Sequence, residues 1–380
     1  MTAFCRIVAP SFVLAVLGVA CAGDDSGAGS SDTGGVATEG SAGTIGGVDG
    51  ATPDGGDDDG SEDAVATDTQ DGGSTAGEDT GDDSDGSSET GPEIPRDAVI
   101  VAVGYGQRRV RSEDGTTWTD FVEVDPDGGD DENLLRGVGY GNGVFVAVGN
   151  RSLRSLDGGI TWQDEYDTGG SFLSDAVYMD GMFIAAGGNG TRMRSVDDAL
   201  SWGDETRFFG GHYRAIAAGN GIAVAVGHTY EGEGLSSTTT DGINWTSELI
   251  GGAQYSGDSL AFGNGVFVAR DSGGGLHWSA DGQRWTDAAQ SVGGGGSLLF
   301  AQGEFILDDD AGYWTSADGD TWSSSSVEFA RSPASWFNGQ YLTLGWPATI
   351  SVSKDLGGWE EVFAPGGSGL SQFAIGTPRR

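Results

Sequence analysis

Lysine is almost missing from this 380-residue sequence: Lys354 is the only one, and 18 Lys+Arg stand against 58 Asp+Glu, for a formal net charge of -40. A chain of that sign repels phosphate, and binding it needs clustered cations, so nucleic acid is excluded as a partner. Cysteine is confined to Cys5 and Cys21. A disulfide framework and a cysteine-ligated zinc site are thereby excluded from everything after residue 21. The three histidines, His212, His228 and His277, lack the close spacing of a metal-binding pair. No Gly-x-Ser-x-Gly nucleophile elbow stands between a strand and a helix. No cofactor is expected. Glycine is in excess, at 71 residues, which argues against one chemically uniform globule.

The first apolar run is Ile7 to Ala20, IVAPSFVLAVLGVA. It is too short to span a bilayer as a permanent helix but suits the h-region of a signal peptide. It closes on Leu17-Gly18-Val19-Ala20-Cys21, which resembles a bacterial lipobox, with Gly18 where that motif usually carries leucine. The resemblance implies that residues 1–20 are a lipoprotein-type signal peptide and that Cys21 is lipidated, giving a membrane partner through the lipid anchor. An ordinary secretory signal cleaved near Ala20 or Ala22 is the alternative. Ala22 behind the cysteine points to the outer membrane by the enterobacterial sorting rule. The expected location is therefore the cell envelope, as an outer-membrane lipoprotein facing outward or into the periplasm.

Residues 21–97 read as an acidic Gly/Ser/Asp-rich linker. Twenty Asp+Glu fall between Asp24 and Glu93, with no Lys or Arg and almost no large apolar side chain. Such a segment has too little to bury to offset its chain entropy, and its charges repel one another. A flexible coil of this length spans roughly 50 Å r.m.s., enough to hold a domain off a membrane surface.

Repeats organise the rest. One short box recurs seven times: Ser112, Asp114, Trp118; Ser155, Asp157, Trp162; Ser195, Asp197, Trp202; Thr239, Asp241, Trp245; Ser279, Asp281, Trp285; Ser316, Asp318, Trp322; Ser353, Asp355, Trp359. The tryptophans lie 44, 40, 43, 40, 37 and 37 residues apart, the length of a four-stranded propeller blade. Within a period, short apolar runs close on Gly, Asn or Asp, as at Gly141-Asn142-Gly143, Gly219-Asn220-Gly221 and Gly263-Asn264-Gly265. These are hairpin signals without helical periodicity. The first period begins at Ala98 without its inner strand, while an extra apolar run, Leu370 to Gly376, follows the last box. The expectation is an all-β, seven-bladed propeller of four-stranded antiparallel blades over 98–376, closed by a C-terminal strand completing the first blade, with a tail at 377–380. A monomer is expected, because closure leaves few free strand edges.

The boxes resemble the Asp-box, or bacterial neuraminidase repeat, Ser-x-Asp-x-Gly-x-Thr-Trp. That resemblance implies that the twenty-one box residues are scaffold: Asp and Ser cap turn amides and Trp fills the space between blades. Sialidases, which bear this box, use three arginines, an aspartate acid and a tyrosine activated by glutamate. The chain departs from them in blade number, in Ile94-Pro95-Arg96 where they place Arg-Ile-Pro, and in lacking a Tyr/Glu pair at a recognisable position. In blade count it is similar to photosystem II assembly-factor propellers, which bind protein without catalysis.

Ligands are expected at the end of the ring opposite the boxes. Arg136 and Arg214 share one place there, six residues before the Asn of their turns, with Arg331 near the corresponding place in its own blade. His212, Tyr213, His228 and Arg270 complete the candidate ligand set, with Tyr230 and Trp346 in the neighbouring loops. Asp125, Asp127, Asp130, Asp131 and Glu132 form a weak calcium candidate, since calcium favours several oxygens from one loop. The leading functional expectation is a non-catalytic module for a protein or glycan ligand. A divergent sialidase-like glycoside hydrolase is the alternative.

Overall fold

The computed structural model describes residues 94–126, 133–168, 172–208, 210–254, 259–292, 296–309, 311–327 and 331–379. The expected signal peptide, Cys21, nearly all of the linker, and Asp127, Asp130, Asp131 and Glu132 lie outside them.

Among the described residues the chain forms seven four-stranded sheets with every pairing antiparallel, a seven-bladed β-propeller. Blade 2 shows the pattern. Leu135–Gly141 is the inner strand, Val144–Gly149 the second, Arg151–Ser155 the third and Gln163–Asp167 the outer one. The second strand, VFVAVG, is buried along its whole length because sheets cover both its faces. The outer strand, QDEYD, carries the polar residues expected at a solvent edge. Inner strands of blades 3 to 7 begin at Leu173, Gly211, Ser259, Leu299 and Ser335.

Blade 1 takes its inner strand from the other end of the chain. Leu370–Gly376 pairs antiparallel with Val99–Gly104, setting Val99 opposite Gly376. The termini thus close the ring, and the strand edge that Val99–Gly104 would otherwise expose is paired.

Each box is a small hydrogen-bonded turn. In blade 2 the Ser155 hydroxyl donates to Asp157 Oδ1 (2.8 Å) and accepts the Gly159 amide (2.8 Å). Asp157 also accepts the Thr161 amide (2.9 Å) and hydroxyl (2.6 Å). In blade 4 the Asn244 and Ile243 amides hold the Asp241 carboxyl well below the usual carboxylate range. The turn needs a left-handed residue, supplied by Gly115, Gly242, Gly282 and Gly319 at positive φ. Blades 3 and 7 place Asp198, Ala199 and Leu356 in that region instead.

The box tryptophans join the blades. Trp162 packs against the buried cluster that holds Val99, Val101 and Val103 of blade 1, Trp202 shares one with Val144, Val146 and Val148 of blade 2, and Trp322 one with Val268 and Leu276 of blade 5. The box end also carries side-chain latches between blades. Asn220 donates to the Gly265 and Ala280 carbonyls, and Asn264 to those of Gly303 and Ala317. Asn338 closes onto Glu113 of blade 1. All three asparagines sit at positive φ, which Asn tolerates and which points the amide to the next turn.

Candidate functional site

The end opposite the boxes is made by loops joining second to third strands and outer strands to the next inner strand. A repeated irregularity aims side chains there. In blades 2, 3 and 4 the inner-strand register slips by one residue at Arg136, Ser174 and Arg214, and in blade 1 at Ser371. A β-bulge leaves that residue outside the ladder and redirects its side chain. Arg136 and Arg214 therefore occupy equivalent bulges, two blades apart.

Between them runs a ladder of rings. The Arg136 guanidinium lies over Phe172, 4.2 Å from its centroid. Phe172 is nearly parallel to His212, at 6.3 Å and 12°. The His212 ring meets Tyr230 edge-on at 5.1 Å and His228 at 5.6 Å. Phe172 precedes the inner strand of blade 3, His212 lies in that of blade 4, and Tyr230 turns between the second and third strands of blade 4. Gly188 faces the Phe172 ring so closely that a Cβ there would come within 2.5 Å of it.

Asn189 fixes the central imidazole. Its amide donates to His212 Nδ1 at 3.0 Å, and its side-chain oxygen accepts the Tyr230 hydroxyl at 3.3 Å. Nδ1 is thus an acceptor, which puts the neutral ring's proton on Nε2. Partial burial, with the adjacent Arg214 charge, pulls the His212 pKa below its ordinary value. Arg214 is exposed, and Tyr230 is 59% exposed. The result is a ridge of ring edges and faces, flanked by two cations on a strongly acidic protein. That arrangement suits an anionic or π-bearing group.

Two of the expected ligand residues belong to the interior. Tyr213 is fully buried, its hydroxyl 2.5 Å from Ser237 Oγ and its ring under Arg192. Strand alternation explains this: side chains on either side of His212 point away from it, and only the bulge returns Arg214 outward. Arg270 is 4% exposed and donates to the Gly296 carbonyl. Arg331 is exposed but turns into blade 7, donating to Ser351 Oγ at 3.0 Å. Of the calcium candidates, Asp125 accepts the Asn133 amide at 3.0 Å. The sequence reading names neither Phe172 nor Asn189: Phe172 stands two residues before its bulge, as His212 does in blade 4, but that equivalence shows only once the bulges are placed, and both residues act through a neighbouring blade.

The same bulges shape the channel lining. Side chains next to the bulges bond amides of the neighbouring inner strand. Gln372 Oε1 accepts the Val138 amide at 2.6 Å, and Asp175 accepts those of Ala176 and Ile216 at 2.8 and 3.3 Å. Burial pushes the Asp175 carboxyl up to about 6, against these bonds and one from Gln372. Elsewhere His277 lies buried between Asp287 (2.8 Å) and Asp271 (3.3 Å). Burial alone would lower its pKa, but the two carboxylates outweigh that and raise it.

No protein-family model matches the sequence, and no curated protein matches it. Among solved structures the chain is similar to YCF48 from Cyanidioschyzon merolae, at 18% identity and a TM-score of 0.48, over 61% of this chain and 84% of that one. A structure of YCF48 bound to D1 peptide matches at 18% identity and a TM-score of 0.47, over 66% and 92%. The computationally designed Ika8 protein matches at 13% and 0.45, over 72% and 89%.

Proposed function

We propose that this chain is an exported lipoprotein, anchored through Cys21 in the outer membrane, whose acidic segment presents a non-catalytic propeller. The propeller binds a protein or glycan ligand through the ridge between blades 2 and 4. The observation that carries this reading is the ladder from Arg136 through Phe172 and His212 to Tyr230. Cations and rings from separate blades meet there on the face away from the packing turns, where loops are free to contact a partner. The signal-like N-terminus and the linker composition support the export and tether.

The test is affinity capture of cell-envelope protein and glycan fractions on the full chain, repeated with Arg214→Ala and Tyr230→Ala. Loss of capture in both, at unchanged melting temperature, is expected. Capture undiminished in both variants would overturn the assignment of this ridge. One observation favours the competing hydrolase reading. Burial raises the Asp308 carboxyl beside Arg270, against a bond from Ser332, as a general acid requires. Turnover of chromogenic glycosides that Asp308→Asn abolishes would replace the binding module with that enzyme.

A further inference from the structure

His212 ties blade 4 to blade 3 through a ring nitrogen as well as through ring contacts. Asn189, whose amide it accepts at Nδ1 (3.0 Å), is the middle residue of the tight turn Gly188–Gly190 between the second and third strands of blade 3. Asn189 holds the left-handed region there, at φ 54°, which asparagine tolerates. Its side-chain oxygen accepts the Tyr230 hydroxyl at 3.3 Å. One exposed residue of blade 3 thus sets both the imidazole and the phenol of blade 4.

The neighbouring bonds of the turn are backbone to backbone. The Gly188 amide donates to the Phe172 carbonyl at 2.8 Å, the Thr191 amide to the Gly188 carbonyl, and the Phe208 amide to the Gly190 carbonyl at 3.0 Å. None of these partners titrates. The Asn189 amide alone among them ends on a group that does. Around that ring stand Arg214 in its own strand, His228 opposite it on the second strand, Tyr230 at its edge, and Arg136 behind Phe172. Glu231 and Glu233, just beyond Tyr230, are exposed, and among the described residues no carboxylate bonds the imidazole. Partial burial and the Arg214 charge therefore act together to favour the neutral ring.

We propose that His212 is an acid-operated clasp between blades 3 and 4. Neutral, the ring holds the Asn189 amide. A proton taken up at Nδ1 converts that acceptor into a donor, so two N–H groups oppose each other. The turn then lets go, or the imidazole rotates out of its stack. Either movement separates the groups that Asn189 holds together, and the Tyr230 hydroxyl loses its fixed position. Acid thereby reshapes the face that a ligand meets, a consequence that rests on the ridge being the binding surface.

The experiment labels the full chain with nitrogen-15 histidine and asparagine and titrates it without ligand between about pH 8 and 5. With three histidines in the sequence, His228→Gln and His277→Gln assign the ring signals. His212 should carry its proton on Nε2 when neutral and titrate below about 6.5. The Asn189 amide signal should move with the same midpoint, and its exchange with solvent, corrected for pH, should quicken about fivefold or more as the bond is lost. His212→Phe keeps a ring beside Phe172 and should remove the pH response, leaving fast exchange throughout. The clasp is overturned if neutral His212 is protonated on Nδ1, or if it stays neutral over the whole range. It is overturned equally if the Asn189 amide is unmoved while His212 titrates, follows His228 or His277 instead, or still responds in His212→Phe. Because no ligand is present, failure of the ridge as a binding surface leaves these results standing.

Discussion

Trp202→Ala should destabilise the propeller by about 4–6 kcal/mol. The indole is 5% exposed and belongs to the buried cluster that holds Val144, Val146 and Val148 of the preceding blade. A buried aromatic removes roughly 150–250 Å² from water, and at about 25 cal/mol per Å² that corresponds to about 4–6 kcal/mol. Alanine keeps the β-carbon and the neighbours partly collapse, which brings the packing loss to about 3–5 kcal/mol. The lost bond from Trp202 Nε1 to Ser152 Oγ (3.1 Å) leaves a buried hydroxyl without that partner, adding about 1 kcal/mol. Against a typical stability of about 5–15 kcal/mol, this is a large fraction. Urea unfolding followed by the fluorescence of the remaining tryptophans measures it, with exposed Val196→Ala as the control, expected within about 0.5 kcal/mol of the parent. If Trp202→Ala shifted stability by less than about 1 kcal/mol, or no more than the control, the box tryptophans would not be what holds one blade to the next.

The His277 pKa is raised in the folded state, so its contribution is complete below about 6.5 and is lost as pH rises through the folded value. Thermal melts of His277→Gln should lack that decline on the alkaline side, and an unchanged slope would refute the double-carboxylate clamp. Asp175 is a buried carboxyl raised to about 6. The native state therefore binds more protons than the unfolded chain between about pH 4 and 6, and stability falls as pH rises through that window, by an amount of order 3 kcal/mol. Asp175→Asn should flatten that part of the melting profile, whatever its effect on absolute stability. Removing Asp157 with Asp157→Ala leaves the Thr161 amide and the Ser155 and Thr161 hydroxyls without their acceptor. The Thr161 groups are exposed and water can replace their acceptor, so a loss of about 0.5–1.5 kcal/mol is expected, read as a lower urea midpoint with ligand capture intact in the folded fraction. Cys21→Ser should yield either an uncleaved precursor or protein released from the membrane. Parent-like retention with normal cleavage would refute lipidation.

The propeller was legible in the sequence because its signals are local and repeated. Each box is a turn whose Ser and Asp serve amides within a few residues, so its spacing survives in the linear chain. Glycine or asparagine at a left-handed turn position marks most of the hairpins for the same reason, the box turns of blades 3 and 7 excepted. Ring closure was legible too, since the first period opens without an inner strand and Leu370 to Gly376 follows the last box as a surplus run.

The working face was legible only in part. Equal distances from the Asn of each turn placed Arg136 and Arg214 at one position, but not that this position is a bulge. Without the bulge, alternation cannot tell which of His212, Tyr213 and Arg214 faces out, and Tyr213 proved to be core. Phe172 and His212 stand at equivalent positions before their bulges, but the sequence does not mark the bulges, and the partners of Phe172 and Asn189, His212 and Tyr230, belong to the next blade, some forty residues on. The Asp175–Ile216 and Gln372–Val138 bonds are of the same kind. Contacts inside a blade repeat with the sequence and can be read from it. Contacts between blades depend on the angle at which two sheets meet, and only the closed ring sets that angle.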